Sequence, residues 1–272
     1  MKKLSARRRH PLAALVVLLF ALAATGGLYA AFAPADEAKA DTSAASSQSL
    51  AIEEGEKLFA TGCASCHGTG GQGTSDGPSL VGVGAAAVDF QVGTGRMPAQ
   101  SPGAQAPKKP QVYTQAQIDQ LAAYVASLGP GPSIPTEEQY DPAGADVAAG
   151  GELFRTNCAQ CHNFTGEGGA LTHGKYAPEL DGVSDKHIYE AMLTGPQNMP
   201  AFPDSIMPEK EKKEIIAYVN EVQGENAESP GGFKLGGFGP VAEGMFAWTI
   251  VLALLIGVAV WVAARTAKAR KS

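Results

Sequence analysis

Two five-residue stretches carry the chemistry that this sequence can do: Cys63-Ala-Ser-Cys66-His67 and Cys158-Ala-Gln-Cys161-His162. Each reads C-x-x-C-H, the pattern in which two thiols bond a porphyrin and the next histidine is delivered to its iron. The spacing has a physical reason, since two such cysteines reach the two vinyl groups of one macrocycle from a single turn of chain. C-x-x-C by itself also serves zinc sites and redox dithiols. Here the two copies use all 4 cysteines, and each copy has its own histidine. That points to two covalently bound haem c groups, with His67 and His162 as iron ligands.

A sixth ligand closes the iron to oxygen and suits it to electron transfer, and a thioether in that place raises the potential. Of the 6 methionines, Met1 at the basic amino terminus and Met245 in the carboxyl-terminal apolar span are set aside. Met97 and Met199 each precede a proline, in Arg96-Met97-Pro98 and Asn198-Met199-Pro200. Met192 and Met207 compete with Met199, and any of the four could instead fill a gap in a core. His173 and His187 are further candidates, although a lone histidine more often makes an ordinary hydrogen bond. His10 belongs to the basic amino terminus.

The elements that must hold these residues occur twice. Gly55, Leu58 and Phe59 precede Cys63 at helical spacing, and Gly150, Leu153 and Phe154 precede Cys158 at an offset of 95 residues. A glycine-rich loop with Pro78 and Leu80 follows the first motif, and Pro178 and Leu180 echo them. The first unit closes with a helix over Thr114 to Leu128, opened by a Thr114/Gln117 capping box and striped by Ile118, Leu121, Ala122, Val125 and Leu128. Ile215, Ile216, Tyr218 and Val219 repeat Leu121, Ala122, Tyr124 and Val125 at an offset of 94. The organisation read from this is a first domain over 51–129, a Pro-rich linker over 130–146, a second domain over 147–223 and a Gly-rich linker over 224–244 containing Phe233 and Phe238.

Both ends are membrane-like. Lys2, Lys3, Arg7, Arg8 and Arg9 precede an apolar run, so 1–33 reads as an export signal that is also long enough to remain as an anchor. Residues 34–50, rich in alanine, serine and charge, read as a tether. Met245 to Ala264 has no charge, and its 20 residues at about 1.5 Å each match the roughly 30 Å hydrocarbon core. Trp248 and Trp261 stand near its ends, and Arg265, Lys268, Arg270 and Lys271 in the 265–272 tail assign that end to the cytoplasm. Everything between the apolar segments then lies on the extracytoplasmic face. A net charge of -6 gives no sign of nucleic-acid binding, and no residue set suggests a nucleophile, a catalytic metal or a phosphate loop.

The order of landmarks resembles the class I cytochrome c family twice over. The resemblance implies an all-α fold of two tandem domains, plus the amino-terminal signal or anchor helix and the carboxyl-terminal transmembrane helix. Terminal helices would cross, with Gly55 and Phe59 near Tyr124 and Gly150 and Phe154 near Tyr218, and Met97 and Met199 would be the distal iron ligands. The whole arrangement is similar to the dihaem cytochrome c subunit of the actinobacterial menaquinol:cytochrome c reductase. That implies an electron carrier within a proton-translocating oxidoreductase, taking electrons from a Rieske iron-sulfur protein beside cytochrome b and passing them to a terminal cytochrome oxidase. A dihaem subunit of another membrane oxidase or dehydrogenase, and a free-standing anchored carrier, are the alternatives.

Overall fold

A computed structural model describes residues 11–32, 35–223 and 240–269. The basic residues before Pro11, the Gly-rich stretch with Phe233 and Phe238, and Arg270 and Lys271 lie outside them. Contacts divide the chain into residues 1–51 and 52–272.

In the first unit, α1 (Pro11–Phe32) is an apolar helix with exposed leucines, valines and Phe20. The following helix, α2 (Ala35–Gly62), runs through the stretch expected to be a tether. Its alanine, glutamate, lysine and glutamine are good helix formers, so the low hydrophobicity of 35–50 signals a solvated helix and not an irregular one. Residues 45–50 are indeed exposed.

The second unit holds two similar helical bodies. In the first, α2 ends at the short α3 (Ala64–His67), then come a loop, α4 (Gly84–Gly93) and α5 (Gln115–Ser127). Thr114 caps α5 through the expected reciprocal bonds with Gln117. Phe59, Ile118, Leu121, Ala122, Tyr124 and Val125 form the buried core with Val88 and Val92 of α4. Helices α2 and α5 touch at Gly55, where a Cβ would strike the Gln120 carbonyl. The Phe59 and Tyr124 rings stack beside this contact at 5.1 Å.

The second body repeats the plan with α7 (Val147–Asn157), α8 (Ala159–His162), α9 (Asp185–Thr194) and α10 (Glu209–Gln223). Asp146 caps α7 by accepting from the Ala148 and Ala149 amides. Gly150 meets the Glu214 carbonyl of α10 as Gly55 meets Gln120, and Phe154 lies 5.3 Å from Tyr218. Each core phenylalanine is 1% exposed, a burial worth roughly 1.5–3 kcal/mol. One feature departs from an all-α reading: β1 (Gly169–Ala170) pairs antiparallel with β2 (Tyr176–Ala177) around a short 3-10 turn.

Proline-rich chain joins the two bodies without hanging loose. The Ala86 amide of α4 donates to the Pro132 carbonyl, Ile134 packs on the first core, and Tyr140 of α6 (Glu137–Tyr140) packs on the second. The bodies also meet directly through α4 and α9.

Carboxyl-terminal α11 (Pro240–Ala269) is 30 residues long and extends beyond the apolar span at both ends. Arg265 lies over the Trp261 ring at 4.3 Å, as a basic residue one turn past an interfacial indole can.

Candidate functional site

The two C-x-x-C-H motifs fold alike. Cys63 and Cys158 follow one helix, and the next four residues wind the single turns α3 and α8, which present both thiols and the histidine on one short arc. His67 Nδ1 lies 2.8 Å from the Pro78 carbonyl, and His162 Nδ1 lies 3.0 Å from the Pro178 carbonyl. A carbonyl only accepts, so each Nδ1 carries the proton and donates. That tautomer leaves Nε2 with a free lone pair, as an iron-binding imidazole requires. Burial, opposed by the Pro178 bond, also lowers the pKa of His162 and favours its neutral form.

Loop backbone locks this arrangement by the same bonds in both copies. The Gly73 amide donates to the His67 carbonyl and the Gly168 amide to the His162 carbonyl; Leu80 N bonds Gly71 O, and Leu180 N bonds Gly166 O. Gly73 and Gly168 take φ of +87° and +76°, which only glycine adopts without strain. After these shared glycines the second copy has five more residues before its proline, and the β1–β2 hairpin accommodates them.

The thiols are free. Burial first, then the neighbouring thiol, pushes Cys63 up to about 11 and Cys158 up to about 12. Neither is a ready thiolate of the kind that zinc takes.

Around Cys158, Cys161 and His162 lies a mostly apolar cleft with about 1150 Å³ of empty space, part of it open to solvent. Phe154, Leu180, Ile188 and Val219 line it, and Met199 faces it. Such a lining, closed by one histidine and offered one thioether, fits a porphyrin iron with two axial ligands. Of the competing residues, Met207 is buried in the core away from the cleft, and Met192 is buried in the core while also lining it. His173 is exposed on the hairpin, whereas His187 lines the cleft. In the first body, Met97, Cys63 and Leu80 each pack against the core, and the Met97 amide donates to the Gln91 carbonyl.

Reading the sequence alone misses what joins the two bodies. Asp89 of α4 is almost fully buried; its Oδ1 accepts from Gln115 Nε2 at 3.0 Å, and its Oδ2 lies 2.6 Å from Lys186 Nζ of α9. Burial would raise the Asp89 pKa, but the Lys186 ammonium overcomes it and holds the carboxylate below its usual range. Next to it, Glu190 is completely buried, its carboxyl within hydrogen-bonding reach of the Asp89 carboxylate. Burial, then the Asp89 charge, pushes Glu190 up to about 9. His187, Asp89 and Glu190 offer ligand atoms within 4.8 Å of one another. The cation of this cluster is already Lys186, with Arg96 and Lys108 also lowering His187 through their charge. One sequence signal was available: Asp89 is the single charge in Gly84–Gly93, and Glu190 interrupts the buried run Ile188, Tyr189, Met192.

Two paired bonds flank this ion pair. Gln105 donates from Nε2 to the Tyr176 carbonyl and accepts from the Tyr176 amide, both at 2.8 Å; Gln197 does the same with Ala106 at 3.1 and 3.2 Å.

Duplicated helical bodies, each presenting two thiols and a histidine whose Nδ1 bonds a proline carbonyl, define a c-type cytochrome with tandem domains carrying covalent haem c. Family models agree: "Cytochrome c" matches residues 52–129, and "Cytochrome C oxidase, cbb3-type, subunit III" matches 145–219. The cytochrome bc1 complex cytochrome c subunit of Mycobacterium tuberculosis is 49% identical over 267 residues, covering 96% of this chain and 93% of its own length. Its counterpart in Corynebacterium efficiens is 46% identical, over 97% of this chain and 94% of its own. The cbb3-type cytochrome c oxidase subunit FixP of Bradyrhizobium is 28% identical over 64% of this chain and 62% of its own. This chain belongs to the family of cytochrome bc1 complex cytochrome c subunits. It is a membrane protein with two helices, around Leu12–Tyr29 and Gly244–Arg265, apolar and long enough to cross a bilayer.

Proposed function

We propose that this chain is the dihaem electron relay of a respiratory quinol:cytochrome c reductase. It would carry one haem held by Cys63 and Cys66 with His67 and Met97 as iron ligands, and a second held by Cys158 and Cys161 with His162 and Met199. Bound haem supplies reversible one-electron chemistry. The residues of the chain fix its orientation, exclude water from its faces, and hold both imidazoles in the Nε2-free tautomer. Electrons enter from a Rieske iron-sulfur protein held with cytochrome b, cross between the two domains, and leave for a terminal oxidase. The haem domains face outward and the carboxyl-terminal tail faces the cytoplasm, in accord with Arg265, Lys268, Arg270 and Lys271 following the membrane span. The 1–33 segment serves for export and stays as an anchor.

Near full-length similarity to relatives named for the bc1 complex is the observation that carries this reading. The cbb3-type subunit III match over 145–219 favours a second reading, a dihaem subunit of an oxidase. That match does not extend to the α11 span. Purification in mild detergent followed by identification of the accompanying chains separates the two: cytochrome b and Rieske subunits support the reductase, and their replacement by a catalytic oxidase subunit alone overturns it. Mass spectrometry of the polypeptide should give two porphyrin additions.

A further inference from the structure

Arg96 stands where the two bodies meet, and among the described residues no ion pair holds its charge. It is the residue before Met97 in the first body, yet its side chain lines the cleft around Cys158, Cys161 and His162 of the second. Burial lowers its pKa, and no carboxylate pairs with it among the described residues. Its guanidinium lies 4.8 Å from the centre of the buried Phe90 ring. Phe90 in turn meets His187 of α9 edge-on at 6.1 Å. Gln105, bonded twice to the backbone of Tyr176, lines the same cleft from the same side. The first body therefore builds part of the wall of the second site.

A half-buried guanidinium without a carboxylate is costly. The group expected in this cleft brings carboxylates of its own, because haem c carries two propionates, and a planar five-donor fork matches a carboxylate well. We propose that Arg96, supplied by the first domain, is the counter-ion of a propionate on the second haem, so that the second site is completed across the domain junction. Arg96 is then a positioning residue with an electrostatic effect: its positive charge opposes the charge gained by the iron on oxidation and keeps the second potential high. The Arg96-Met97 dipeptide touches both sites at once, binding the second haem with one side chain and offering a ligand to the first with the next. The proposal rests on the two-haem reading above.

Equilibrium redox titration of the full chain, solubilised and loaded with both haems, tests it. Wild type should give two waves, and Met199→His identifies the second by its fall. Arg96→Gln should lower that second wave by about tenfold in the reduction equilibrium, ~59 mV for one electron. The first wave and the long-wavelength thioether–iron absorption of Met97 should stay unchanged. Arg96→Lys, which keeps the charge, should restore most of the loss. An unmoved second wave in Arg96→Gln overturns the proposal. So does a shift of the first wave or loss of the Met97 absorption, since Arg96 would then only hold its own loop. A wild-type mass lacking two porphyrins would instead sink the two-haem reading, and is told apart by that measurement alone.

Discussion

Glu190 makes the sharpest test of the junction. The carboxyl is completely buried beside Asp89, and its pKa rises from an ordinary 4.5 to about 9. A raised carboxyl is protonated in the fold at pH values where the unfolded chain has already released its proton. Its favourable contribution is full below pH 4.5 and is lost as pH climbs towards 9, at about 1.4 kcal/mol per unit. That amounts to about 3 kcal/mol by pH 7 and about as much again by pH 9. The other junction groups leave the window from 7 to 9 clear. Asp89, held below its usual range, weakens the fold only on acidification; Lys186, held above 10.5, does so only in stronger alkali. His187, lowered by burial, exerts its effect below the ordinary histidine value of 6.5. Thermal melting of the haem-loaded full chain in detergent should therefore show Tm falling by on the order of 10 °C between pH 7 and 9. Glu190→Gln should melt higher at pH 8 and flatten that slope. Equal slopes in wild type and variant would mean that the carboxyl reaches water or ionises in place, and the reasoning would fail.

Five other substitutions separate packing and ion pairing from ligation. Gly150→Ala forces a methyl into the Glu214 carbonyl; α7 and α10 must part, and calorimetry should register a loss of about 1–3 kcal/mol. Met199→Ala should abolish one thioether–iron absorption in the oxidised spectrum, whereas Met192→Ala, which empties a core position 2% exposed, should cost about 2–5 kcal/mol in denaturant melts and leave that absorption in place. Lys212 is fully buried, with Nζ 2.6 Å from the exposed Asp204 and 2.7 Å from the Met207 carbonyl. Asp204→Asn should cost roughly 1 kcal/mol, discounted because Asp204 faces water. Lys212→Met, of similar length and apolar, should be near neutral in the same melt.

Much of this was legible because it is local. C-x-x-C-H is a contiguous pattern, a capping box spans four residues, and an apolar stripe shows in any helical window, so the Thr114 cap and the buried Ile118, Leu121 and Val125 could be read directly. Gly55 and Gly150 were legible in another way, as matched members of a repeat. What escaped depends on long-range contact or on solvation. Residues 35–50 read as a tether because alanine, serine and charge leave little to bury, but alanine-rich chain forms a helix by intrinsic propensity. α4 escaped because Gly84–Gly93 is apolar nearly all round and so lacks a helical stripe. The α4–α9 junction pairs residues about a hundred positions apart, and no local window holds both Asp89 and Lys186.

The chemistry of that junction bears on why it is built from charges at all. An apolar contact between α4 and α9 would join the bodies more cheaply, since burying the Asp89–Lys186 pair and Glu190 sacrifices much of what association gains. An apolar face tolerates sliding and rotation, because many registers bury similar area. A half-buried ammonium that must meet one buried carboxylate, together with two glutamine-to-backbone clasps between the bodies, admits one register. A relay needs that fixity more than it needs stability: the cleft wall contributed by Phe90, Arg96 and Gln105 forms only in this orientation. A slip of one helical turn along α9, about 5.4 Å, would withdraw all three from the second site. Stability given up at Glu190 is thus consistent with a junction selected to hold two redox centres in a single relative pose.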